Sequence, residues 1–399
     1  MKGLLLVVFV NFVGIGALIP VLPYAVIDVA GGSETNMALL MASFAFAMFV
    51  GAPILGSLSD RFGRRRVLLA SILVSAVAHA GFALSVDLVP MFITRLIAGL
   101  ASGNISVIQA IITDTTGEKE RARWMGMMGA FVGLGFVAGP ALGGLLSGVG
   151  GAVHMAPFLL AAGLALLGFV LAALNVSETI TPHQPQQPTS LGRKIAALAG
   201  SGLAGFAVAG FLLNLGFAQV EVSFVLVLKD VLGYSSLNTG WVFTWIGIII
   251  VIVQGGMIGP LTRRFGDLPV AISGALLLML GQIVTVMMIP VGFVFGGMAL
   301  AGVLVATGLV CVGFALTNPT LAAATSKRSR EGAVGGSLGV VQGFGSLGQV
   351  GGLLMAGPLY EMGGGGLTFG IGGLASMVLA GCLILVANGS QPTPTAHGR

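Results

Sequence analysis

Long apolar stretches, broken at irregular intervals by short polar islands, run the length of the chain. Cutting at the islands predicts twelve spans, each near the ~20 residues that cross a bilayer. They fall at 3–27, 37–57, 67–85, 91–113, 124–146, 157–174, 196–226, 239–261, 269–289, 293–317, 332–356 and 367–387. Such spans must be helical, because a backbone in hydrocarbon finds hydrogen-bond partners only within its own segment. The pattern therefore predicts an all-α polytopic membrane protein, and an even number of spans puts both termini on one side. Met1 and Lys2 precede an apolar run too long for the core of a cleaved leader, so it reads as a first retained span.

The islands set the orientation. Gly56–Arg66 holds Asp60 and four of the eighteen Lys/Arg, namely Arg61, Arg64, Arg65 and Arg66. A charged side chain at a helix centre costs at least ~2.5–3.5 kcal/mol in a bilayer, so this stretch is expected as a tight loop at a membrane face. Its excess of arginine makes that face cytoplasmic. Sixteen of the eighteen basic residues then share the cytoplasmic side, among them Lys2, Lys119, Arg121, Arg123, Arg193, Lys194, Arg263, Arg264, Lys327, Arg328, Arg330 and Arg399. Only Lys229 lands outside and only Arg95 within the membrane. The expected location is the cytoplasmic (inner) membrane with both termini in the cytoplasm.

With 8% charged and 56% hydrophobic residues in 399, little chain is left for a soluble domain. The net charge of +5 sits in helix-connecting segments, so no nucleic acid is needed to account for it. Cys311 and Cys382 fall in separate spans, with no disulfide framework and no metal-ligand spacing. A phosphate-cradling loop is missing, which argues against ATP, and nothing resembles a catalytic triad. No enzyme, cofactor or metal is expected.

An internal repeat divides the chain. Gly56-Ser-Leu-Ser-Asp-Arg-Phe-Gly63 recurs as Gly259-Pro-Leu-Thr-Arg-Arg-Phe-Gly266, 203 residues later, again between the second and third spans of its half. Between the copies, residues 176–194 carry Pro182, Pro185 and Pro188 and read as a mobile cytoplasmic linker. That gives six-span halves at 1–175 and 195–399, the latter ending in a short cytoplasmic tail. Parallel six-span repeats around a midplane site are one transporter architecture.

Three motifs make the resemblance specific. Gly56–Arg65 resembles the signature loop of the major facilitator superfamily. Arg95 with Gly99 and Gly103 is similar to its fourth-span motif, with Ala98 where Gln is common. Gly135, Gly139, Pro140, Gly143 and Gly144, within Gly-Phe-Val-Ala-Gly-Pro-Ala-Leu-Gly-Gly, resemble the fifth-span motif of its drug/proton antiporter branch. The surrounding Gly14-Ile-Gly, Pro20-Val-Leu-Pro and Asp114-Thr-Thr are most similar to tetracycline-efflux-type pumps. The resemblance implies alternating access and proton-coupled efflux of an amphipathic, antibiotic-like small molecule, by a monomer whose partners are that molecule, protons and the lipid bilayer. It also implies that Asp60 latches the second span to the start of the eleventh, near Glu331–Gly335. Where tetracycline-type pumps carry acids in the first, third and ninth spans, this chain has Asn11, Ala78-His79 and no acid, which speaks against tetracycline itself.

Residue chemistry supplies the candidate site. Gly56 and Gly63 permit a tight turn, and Arg64 can pair with Asp114 at the end of the fourth span. The glycines four apart in the fifth and eleventh spans give side-chain-free ridges on which the halves can rock. Arg95 is followed at helical spacing by Ser102, Ser106, Gln109 and Thr113, a stripe expected to face a water-filled cavity. Glu221 shares a face with Asn214, Phe217 and Phe224, a setting that suits a proton carrier or a partner for a cationic substrate. Asn11, Trp245, Asn318, Gln342 and Gln349 are further candidates for the cavity wall. Two other readings stay open. One is symport or facilitated diffusion of a neutral or anionic metabolite, with Arg95 as the anion partner; the other is a non-transporting sensor or scaffold.

Overall fold

The structure is a computed structural model and describes residues 2–147, 149, 151–179, 203–295, 299–329 and 334–388. Among these the chain is helical throughout, with no strand. Twelve passes follow one another. The first six are α1 (Lys2–Leu18), α2 (Glu34–Phe62), α3 (Arg64–Ala83), α4 (Leu88–Thr115), α5 (Glu118–Leu146) and α6 (Met155–Asn175). The second six are α7 (Ala204–Asp230), α8 (Ser236–Phe265), α9 (Asp267–Phe295), α10 (Ala299–Arg328), and α11 and α12 (334–362 and 365–388). The last two form one run, Val334–Asn388, bent where Gly363 and Gly364 leave helical geometry. At φ +62° Gly364 occupies backbone space that other residues enter only with strain.

The island at Gly56–Arg66 is not a loop. α2 continues to Phe62, α3 starts at Arg64, and Gly63 alone joins them with φ +99°. Gly266, 203 residues on, makes the same junction between α8 and α9 with φ +86°. Polar side chains end a span's contact with hydrocarbon, but they do not end a helix, whose backbone bonds are internal. Arg61 in the last turn of α2 also complements the negative end of the helix dipole. For the same reason α10 runs on to Arg328, past the expected boundary at 317. Of the linker, residues 180–194 lie outside the described residues, as do 195–202 after it, and 176–179 are held against the α2–α3 junction, as set out below.

Within the first half α1 packs on α5 and α6, α3 on α4 and α6, and α2 on α4; within the second, α7 packs on the α11–α12 run and α9 on α10. The halves meet along two seams, α2 with the α11–α12 run and α5 with α8. Among the described residues, polar bonds between the halves gather at the face opposite the arginines. There the Tyr24 hydroxyl donates to the Tyr234 carbonyl at 2.6 Å, and Lys229 pairs with Asp28 at 2.5 Å. The Thr35 amide donates to Glu361 at 3.0 Å, and Ser236 bonds Ser147 at 2.6 Å. A Cβ added at Gly129 of α5, Gly255 of α8 or Gly339 of α11 would meet nothing within 4 Å. Among the described residues, the polar bonds that join the two halves lie at the far face.

Candidate functional site

Small residues bring the site together. A Cβ on Gly99 would lie 2.5 Å from the Phe44 carbonyl oxygen, and one on Gly103 2.5 Å from the Ala52 nitrogen, so α4 and α2 touch backbone to backbone. This contact sets Phe44 beside Arg95. Phe82 from α3 and Phe158 from α6 stack at 3.9 Å, and the Arg95 guanidinium carbon is 5.1 Å from each ring centre and 5.5 Å from that of Phe44. Arg95 is 7% exposed, and its Nε has no hydrogen-bond partner. His154, just before α6, meets Phe82 and Phe158 edge-on while its Nε2 lies 2.9 Å from the Ser85 carbonyl. Burial holds that imidazole below the usual histidine range, partly offset by the carbonyl, so it packs as a neutral ring.

On the other half, Gly348 and Gly352 let α11 lie on α7; a Cβ on Gly352 would sit 2.7 Å from the Leu215 carbonyl oxygen. Gln349 between them donates from Nε2 to Glu221 Oε2 at 3.2 Å. Arg95 and Glu221, one from each half, line a single cavity of about 220 Å³, with Asn11, Ser102 and Gln349 as further polar wall residues. Met37, Met41, Phe136 and Val225 supply apolar wall.

The remaining cavity candidates lie elsewhere. α4 is interrupted at Gly103–Asn104, which breaks the expected stripe: Asn104 lines the cavity, whereas Ser106 donates to the Ala52 carbonyl at 2.8 Å. One turn on, the Gln109 carbonyl accepts from Thr113, and neither residue lines the cavity. α7 is packed on several sides, so its expected face is shared among neighbours. Phe217 stacks on Phe314 of α10 at 3.9 Å, Phe224 meets Phe243 of α8 edge-on, and Asn214 packs against Gly345 of α11. Trp245 is 46% exposed, and Asn318 and Gln342 are exposed too, away from this cavity. The phenylalanine cage is the part that sequence reasoning missed.

At the basic face Arg64 gathers the charges. Its Nη1 is 2.6 Å from Asp60 Oδ1 and donates to Ser59 Oγ at 2.6 Å, while Nε lies 3.1 Å from Asp114 Oδ2. The first linker residues join in. Glu178 accepts from the Arg64 amide at 2.7 Å, and Thr179 donates to Asp114 at 3.2 Å. Arg65 donates to the Ala173 carbonyl at 2.6 Å, Arg61 stacks on Phe62, and Gly56 faces Ser106. The expected partner of Asp60 near Glu331–Gly335 falls largely outside the described residues. Arg64→Ala is expected to destabilise the protein by about 1–2 kcal/mol, through the lost bonds of a buried guanidinium to Ser59 and Asp114, while the exposed Asp60 loses little. Asp60 is 56% exposed, so Asp60→Asn should move the thermal midpoint little while transport is lost; equal thermal losses for both variants would count against a latch.

The fifth-span glycines work within their own half. A Cβ on Gly139 would be 2.6 Å from the Val13 carbonyl oxygen, Gly135 faces Phe12, and Gly143 abuts the Ala17 carbonyl, all on α1. Pro140 packs near Gly16 of α1 while its carbonyl approaches Gly240 of α8, and Gly144 meets Gly240 at the seam. The ridge is thus a close helix contact inside the first half, and only its last turn reaches the other half.

Comparison with known proteins decides the family: the model of the Major Facilitator Superfamily matches residues 4–350. The chain belongs to the Major Facilitator Superfamily. It is 37% identical over 272 residues to the class G tetracycline resistance protein of Vibrio anguillarum, covering 66% of this chain and 68% of that one. Multidrug resistance protein 2 of Bacillus subtilis is 27% identical over 370 residues, covering 89% and 87%. Among solved structures, the human organic anion transporter MFSD10 superposes with a TM-score of 0.71 at 22% identity, over 96% of this chain and 98% of that one. As a major facilitator the protein is an integral membrane transporter for a small molecule and not an enzyme.

Proposed function

We propose that this major facilitator exports an amphipathic small molecule against proton influx, by alternating access of the halves 1–175 and 195–399. It does so as a monomer in a cytoplasmic membrane, with both termini in the cytoplasm and without ATP. The observation that carries the reading is the cavity between the halves, with one buried cation from α4 and one carboxyl from α7. Relatives named for tetracycline, multidrug and quinolone resistance support export.

Glu221 is the proton carrier and Arg95 its electrostatic modulator. Ionised, Glu221 favours bound cargo; protonated, it favours release, because proton and cargo compete for one carboxylate. Polar bonds between the halves at the far face fit a state in which cargo loads from the cytoplasm. The Asp60–Arg64–Asp114 cluster ties the α2–α3 junction to α4, so these helices move as one body. The test is the direction of proton flow in proteoliposomes. Substrate moving one way should drive protons the other. Co-directional flow supports symport instead, and substrate flux without a proton response overturns the coupling.

A further inference from the structure

The feature left unexplained by proton coupling is the isolation of Arg95. A guanidinium stays protonated near neutral pH, and this one is 7% exposed. Among the described residues it has no carboxylate partner, and its Nε is buried with no acceptor. Three ring faces attract the cation without cancelling its charge, and a buried charge lacking a counter-ion is strongly disfavoured. The one ionisable group that shares its cavity is Glu221, which Gln349 already engages.

We infer that the cavity takes an amphipathic zwitterion, its carboxylate paired with Arg95 and its ammonium with Glu221. This rests on efflux through this cavity. The guanidinium fork matches a carboxylate in shape and charge, and the cargo's anion supplies the counter-ion that the protein withholds. Met37, Met41 and Phe44 offer an adaptable apolar wall for the body of the molecule. Protonation of Glu221 frees the ammonium end while the carboxylate end stays held, so release begins on the second half. A cargo spanning both charges also bridges the halves, giving it the differential interaction that a change of state requires.

The test titrates the purified full-length protein with Nα-dansyl-lysine, its methyl ester and its Nε-acetyl derivative, reading dansyl fluorescence. The zwitterion should bind about 10- to 100-fold tighter than either blocked form. Arg95→Gln should abolish the preference over the ester and keep the preference over the Nε-acetyl form, and Arg95→Lys should restore part of the former. Should Arg95→Gln fail to fold, the three ligands on the unaltered protein decide alone. A zwitterion that binds no tighter than its ester, or not at all at millimolar concentration, overturns the inference. Proton flux in proteoliposomes separates the two readings. Equal flux with acid and ester sinks the zwitterion site and leaves efflux standing, whereas selective binding without proton flux does the reverse.

Discussion

Glu221→Gln is expected to bind substrate and fail to concentrate it. The amide has nearly the shape of the carboxyl and can still accept from Gln349 Nε2, which lies 3.2 Å from the native Oε2, so the α7–α11 contact survives. What it cannot do is take up and give back a proton. With one proton exchanged per substrate, each pH unit across the membrane sustains about a tenfold substrate gradient, because 1.4 kcal/mol is a factor of ten in concentration. The variant should hold a ratio of about one at any imposed pH difference, while its thermal midpoint stays near that of the unaltered protein. Substrate accumulation in inverted vesicles at stepped pH gradients makes the measurement. A variant that still accumulates substrate in proportion to the gradient would remove Glu221 from the mechanism.

Gly143→Ala should damage the fold from within one half. Its new methyl would press on the carbonyl of Ala17 in α1, which is backbone and has no rotamer to yield. Overpacking of this kind costs about 1–3 kcal/mol, against a gain of up to ~1 kcal/mol from replacing glycine in a helix. The net expectation is a loss of about 1 kcal/mol, seen as a lower thermal midpoint and a smaller monodisperse yield. Gly133→Ala is the matched control on the same helix: its Cβ would meet nothing within 4 Å, so it should be neutral or stabilising. If the two variants melt alike, the α1–α5 contact is looser than the backbone approach implies.

The passes and the repeat were legible because hydrocarbon filters composition so strictly: charges at Arg61, Lys119 and Arg263 mark ends that any twelve-span reading must respect. Helix ends were less legible, since α2 and α10 run on beyond the apolar stretch into charged residues such as Arg61, Lys327 and Arg328. Asn11, Arg95, Ser102, Glu221 and Gln349 stood out as polar groups in apolar surroundings, and all five line the cavity. The Arg95 cage did not stand out. Phe44, Phe82 and Phe158 are three of 23 phenylalanines, on three helices, and no periodicity links them. The stripe after Arg95 misled because helical spacing is read as though the helix were continuous, and α4 breaks at Gly103–Asn104.

The bonds at Tyr24, Asp28, Thr35 and Ser147 have a consequence for the proposed cycle. Each bond that is lost when the far face opens would favour the closed posture by up to about 1 kcal/mol, less for the exposed pairs at Asp28 and Thr35. In the proposed cycle these bonds would keep the far rim of the empty carrier closed, a check valve against backflow. Weakening that rim should make the membrane leaky to the cargo well before it makes the protein unstable.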